Sequence, residues 1–193
     1  MNIQEISQAF SVSQATGVTV IDGKKAERKE IYMRANANGY GAGRKELVDA
    51  NTTKTVGVTN LEKGDTLPNG KEYIVRGLKL LIAPDTDAVV KTATYGTSLG
   101  LPAFTNGELR IEQDGVLLNL PLRSIYVNPD NAKQKLAGEQ YYEVLPFMIK
   151  SGQTFSISVE PVGAIAVDHC FELVLDVIEI ATSAKVDTAT GRN

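Results

Sequence analysis

Residues 107–121 read GELRIEQDGVLLNLP, and this stretch decides the fold class. Polar and apolar residues alternate along its first half, so Leu109 and Ile111 would face inward and Glu108, Arg110 and Glu112 outward. Asp114-Gly115 then precedes a second apolar run. That dipeptide between two such runs predicts a hairpin with a type I′ turn, whose central residues both need positive φ.

The same pattern extends outward on both sides, from about residue 55 to residue 181. Upstream, KEYIVRGLKLLIA (residues 71–83) is the longest strand candidate, with Ile74, Leu78, Leu80 and Ile82 on one parity and Tyr73, Val75 and Leu81 on the other. Gly77 in its middle marks a bulge or a close backbone approach. Downstream come YYEVLPFMI, then QTFSISVEP with Phe155, Ile157 and Val159 inward, then CFELVLDVIEIA with Phe171, Leu173, Leu175 and Val177 on one parity. The last run changes pattern at Val177-Ile178, which implies a bulge or a second contact surface. The expected core is Ile74, Leu78, Leu80, Leu109, Ile111, Phe155, Ile157, Val159, Phe171, Leu173 and Leu175.

Many short strands with turn residues between them favour a sandwich over βαβ units. The expected fold is all-β: an antiparallel β-sandwich, a single jelly roll of eight strands, carrying an extended N-terminal arm. The chain of 193 residues divides on this reading into an arm (1–51), the sandwich (52–182) and a flexible polar tail (183–193).

The arm reading rests on three features. Ile3, Ile6 and Phe10 have helical spacing in a segment too short to hold a helix alone. A Gly-rich loop follows at Gly39–Gly43. Between Lys24 and Lys45 there are seven basic and two acidic residues, +5, whereas from Leu101 to the end twelve acidic and seven basic residues give −5. Lys24, Lys25, Arg28, Lys29 and Arg34, with Ile3, Ile6 and Phe10, are therefore the candidate assembly residues, able to meet a neighbouring subunit, nucleic acid or a membrane.

Candidates for chemistry are few, since the chain has one His, one Cys and no Trp. Gly39-Tyr40-Gly41-Ala42-Gly43-Arg44-Lys45 has glycines suited to an anion but lacks the strand-to-helix context and the Ser or Thr of a phosphate loop. Asp85 with Asp87, and Asp130 with Asn128 and Asn131, offer oxygen ligands but read as turns. His169 and Cys170 are neighbours that would point to opposite faces of a strand, which separates base from nucleophile. Tyr40, Tyr95, Tyr126, Tyr141 and Tyr142 are candidates for a sugar platform. No catalytic, metal or cofactor site is expected. The start, MNIQEISQAF, does not read as a secretory signal, and no run approaches the roughly 18 apolar residues of a membrane span.

Two stretches resemble structural proteins of bacterial viruses: GVTNLEKGDTLPNGKEYIVRGLKLLIA and GELRIEQDGVLLNLPL. The first joins a Gly-Val-Thr-Asn turn, a Leu-Pro-Asn-Gly loop and a strand of the form apolar-x-apolar-Arg-Gly-apolar-x-apolar. The second is a charged hairpin ending Leu-Pro-Leu. The family resembled is the jelly-roll capsid proteins of tailless icosahedral bacteriophages. The resemblance implies a non-enzymatic capsid subunit of the virion (major, minor or penton), a homo-oligomer assembled with other capsid proteins and without a small-molecule substrate. The chain is too short for the double jelly roll of that lineage's major capsid protein. Other function classes are a carbohydrate-binding β-sandwich of a phage tail or spike and a hydrolase on the same scaffold.

Overall fold

The computed structural model describes residues 18–21, 24–86, 89–127 and 141–182. These form β1 (Val18–Ile21), β2 (Lys24–Asn36), β3 (Lys45–Val48), β4 (Thr53–Thr55), β5 (Thr59–Lys63), β6 (Lys71–Ala83), β7 (Glu108–Glu112), β8 (Val116–Pro121), β9 (Tyr142–Ile149), β10 (Ser156–Glu160) and β11 (Cys170–Thr182). Two single helical turns, Pro102–Thr105 and Leu122–Ile125, are added in the connections. The strands make two antiparallel sheets, as the alternation predicts. The larger runs β4-β5-β2-β11-β6-β9 with β1 beside the start of β2, and the smaller runs β3-β10-β7-β8.

Four pairings nest in sequence: β2 with β11, β3 with β10, β6 with β9, and β7 with β8. The β11–β6 and β10–β7 ladders join the nested pairs within each sheet. The chain behaves as one long hairpin folded over into two layers, with β1, β4 and β5 added outside the nest.

Between the layers lies one core. The larger sheet contributes Ile31, Met33, Leu78, Leu80, Ile82, Phe171, Leu173, Leu175 and Val177, and the smaller contributes Val48, Leu109, Ile111, Leu120, Ile157 and Val159. All eleven expected core residues are at most 2% exposed. Ile74, however, belongs to a separate cluster on the outer face with Ala26, Ile178 and Ile180. The reason is a bulge where Gly77 predicts one: Asp176 pairs with Gly77 but Val177 pairs with Val75, leaving Arg76 as the extra residue. Past a bulge, parity reverses. Val75 and Tyr73 therefore enter the main core in place of Ile74.

The change of pattern in β11 has the second of its two expected causes. The strand stays in unbroken register with β2, and both faces are buried, the core on one side and Val174, Ile178 and Ile180 on the other. The hairpin places Asp114 at φ 54° and Gly115 at φ 123°, the positive values the dipeptide implies. Glu112 pairs with Val116, so the connection has three residues instead of the two of a type I′ turn.

The expected arm is corrected over residues 24–51. β2 is an interior strand, paired with β11 over all thirteen of its residues, with Ile31 and Met33 each 4% exposed. β3 belongs to the smaller sheet, where Val48 is buried in the core. Residue 51 is therefore no domain boundary. Ile3, Ile6 and Phe10, and the tail 183–193, lie outside the described residues.

Candidate assembly surfaces

All five basic candidates sit on β2, and the register of β2 against β11 explains the fate of Arg28, Lys29 and Arg34. Arg34 lies directly across from Glu172 and its Nε donates at 2.8 Å. Arg28 makes a two-point contact with Asp176, Nε to Oδ1 at 2.9 Å and Nη2 to Oδ2 at 3.1 Å. Lys29 Nζ reaches Glu179 at 2.7 Å, Lys25 reaches Glu27 at 3.0 Å, and Lys24 stands 3.9 Å from Glu72. The N-terminal positive surplus and the C-terminal negative surplus thus meet within one chain. This corrects the reading of Arg28, Lys29 and Arg34 as part of a basic arm awaiting an outside acidic partner. A charge count along the chain cannot see that two distant strands lie side by side.

The densest part of this network surrounds Asp176, whose side chain is 5% exposed. Arg76, held in the bulge, donates Nε to its Oδ2 at 2.6 Å. Two guanidinium groups from flanking strands thus clasp one carboxylate on the middle strand, fixing the register of three strands at once. Tyr141 completes the outer face. Its ring covers the Lys79 ammonium at 4.4 Å, and its hydroxyl bonds Glu30. A Cβ on Gly77 would stand 3.1 Å from that of Tyr141, so the glycine makes room for the residue that leads into β9. Burial, then the Glu30 carboxylate, raises the Tyr141 phenol well above its ordinary value.

The glycine-rich loop is sewn to its neighbour: Gly39 N–H donates to the Ile165 carbonyl at 2.8 Å, and Ile165 N–H to the Tyr40 carbonyl at 2.8 Å. It leads into β3, with Lys45 over the Tyr40 ring at 5.8 Å. His169 is 2% exposed and edge-on to Phe104, and its Nε2 has no partner among the described residues. Burial lowers its pKa. Cys170 lies in another cluster with Ala83 and Val90, its Sγ donating to the Asp85 carbonyl at 3.0 Å. Asp87, Asn128, Asp130 and Asn131 lie outside the described residues. Among the described residues no three His, Cys, Asp or Glu side chains gather into a metal-binding group.

The five tyrosines do not share a platform. Tyr40 is edge-on to Phe171, Tyr95 stacks on Arg34 and donates to the Val90 carbonyl, Tyr126 donates to the Ser98 carbonyl, and Tyr141 covers Lys79. Tyr142 alone of the five is exposed, at 45%.

The run YYEVLPFMI forms β9, one end of the larger sheet, and the other end is β4, which the alternation did not single out. These ends carry the two most exposed large apolar side chains of the described residues, Leu145 at 92% on β9 and Val56 at 83% just after β4. An edge strand presents unpaired N–H and C=O groups to any second strand that can reach it. No helix among the described residues is long and apolar enough to cross a membrane. Neither the protein-family models nor the curated proteins contain a match to this chain.

Proposed function

We propose that the chain is a virion structural protein, a capsid subunit built on a single jelly roll that assembles with copies of itself and with other shell proteins into an icosahedral shell. Support for the jelly-roll assignment comes from the nested pairing of β2/β11, β3/β10, β6/β9 and β7/β8 across two sheets. The observation that carries the assembly reading is the pair of sheet ends left unpaired among the described residues, with Leu145 and Val56 exposed beside them. Exposed apolar side chains at the ends of a sheet mark surfaces that a neighbouring subunit can cover, and a closed symmetric assembly covers them. The viral likeness of residues 57–83 agrees with this reading, since that stretch forms β5 and the bulged strand β6.

The test is the state of the purified full chain. Light scattering and negative-stain microscopy should show a discrete multi-subunit species over micromolar concentrations. A strict monomer at every concentration and salt level refutes the reading.

A further inference from the structure

The geometry points to a head-to-tail contact in which β9 of one copy adds, antiparallel, to β4 of the next, with Glu143 of the first opposite Lys54 of the second. This inference rests on the assembly reading above and names its contact.

Direction comes first. The larger sheet has six strands on its main path, and every neighbouring pair is antiparallel. β4 and β9, at opposite ends of an even-numbered path, therefore run in opposite directions. A second copy in the same orientation thus brings its β4 antiparallel to β9, and the ladder continues across the junction without inverting either molecule.

Length and side chains select the register. β9 pairs with β6 at Tyr142 and Glu143 and again from Phe147 to Ile149, and Pro146, which has no N–H, sits in the break between, which leaves the residues before the break for a new ladder. β4 is three residues long, Thr53–Thr55. Set against Tyr142, Glu143 and Val144, it places Lys54 across from Glu143. Each is the one charged residue of its strand, both are exposed, and neither has an ion pair among the described residues. Leu145, in the break of β9 after this segment, and Val56, in the turn after β4, border this pair. Both of the most exposed apolar side chains of the described residues therefore lie next to the contact.

A two-fold alternative is disfavoured by charge. An antiparallel β4–β4 joint sets Lys54 against its own copy, and a β9–β9 joint sets both Glu143 side chains on one face. Heterologous contacts close into a ring or continue as a filament according to the rotation between copies.

Charge exchange tests this in the full chain. Lys54→Glu and Glu143→Lys should each raise the concentration at which assembly sets in by roughly tenfold or more, with circular dichroism and melting unchanged. The double variant should assemble like the parent. So should an equimolar mixture of the two single variants, because alternating copies then face opposite charges at every junction. If the parent assembles and the single variants do so equally well, or the double variant fails to recover, the contact is wrong and the assembly reading stands. If Glu143→Lys is impaired and Lys54→Glu is not, the joint is not head to tail. A parent that stays monomeric overturns both.

Discussion

Replacing Asp176 by Asn keeps the shape of the side chain and removes the charge that Arg28 and Arg76 share. The two arginines differ in their escape routes: the Arg28 side chain is 44% exposed and can rehydrate, whereas Arg76 is 14% exposed and held in the bulge of β6. Removing one partner of a buried pair costs about 3–5 kcal/mol, and the hydration open to Arg28 puts this case near 3. With a urea m-value of about 2.5 kcal/mol/M for a chain of this size, the unfolding midpoint should fall by about 1 M. The melting temperature should fall by about 6–12 °C. Far-UV circular dichroism is the suitable probe, because the chain has no Trp. A double-mutant cycle with Arg76→Met separates the Arg76 contribution, since the two changes should be less than additive. A midpoint within about 0.2 M of the parent would mean that the clasp behaves like an exposed ion pair, worth about 0–1 kcal/mol, and that the ladders alone hold the bulge.

Three further outcomes are expected. Leu173→Ala, at a position fully buried between Met33 and Leu80 on the flanking strands, should cost about 2–5 kcal/mol; an unchanged melting temperature would put the side chain on the wrong face. Deleting residues 1–51 removes β2 and strips β11 of its partner over thirteen residues, so circular dichroism should show an unfolded chain, and a folded strand-rich product would restore the arm reading. Because burial lowers the His169 pKa, the folded state binds fewer protons than the unfolded one; its contribution is complete above about pH 6.5 and is lost as the pH falls below that value. Glu27 and Glu62, lowered chiefly by Lys25 and Lys71, lose theirs only below about pH 4.5, so His169→Leu should flatten stability between about pH 5 and 6.5 and leave the deeper acid limb in place.

The strands of the sandwich core were legible because alternation is a local property. Leu109 and Ile111, or Phe155, Ile157 and Val159, announce an inner face without reference to any partner, and Asp114-Gly115 announces its reversal of direction. Three other matters were decided by tertiary structure. β2 reads as part of a basic assembly arm until β11 brings Glu172, Asp176 and Glu179 alongside, since neutralisation depends on a strand more than a hundred residues away. The face taken by Ile74 depended on where the bulge lay relative to two neighbouring strands, which the position of Gly77 alone does not settle. Whether a strand is interior or an edge is a fact about its neighbours. The residues of β9 therefore specified a strand, and only the folding of the long hairpin, with β5 and β4 added beyond β2, left β9 and β4 at the two ends of the sheet.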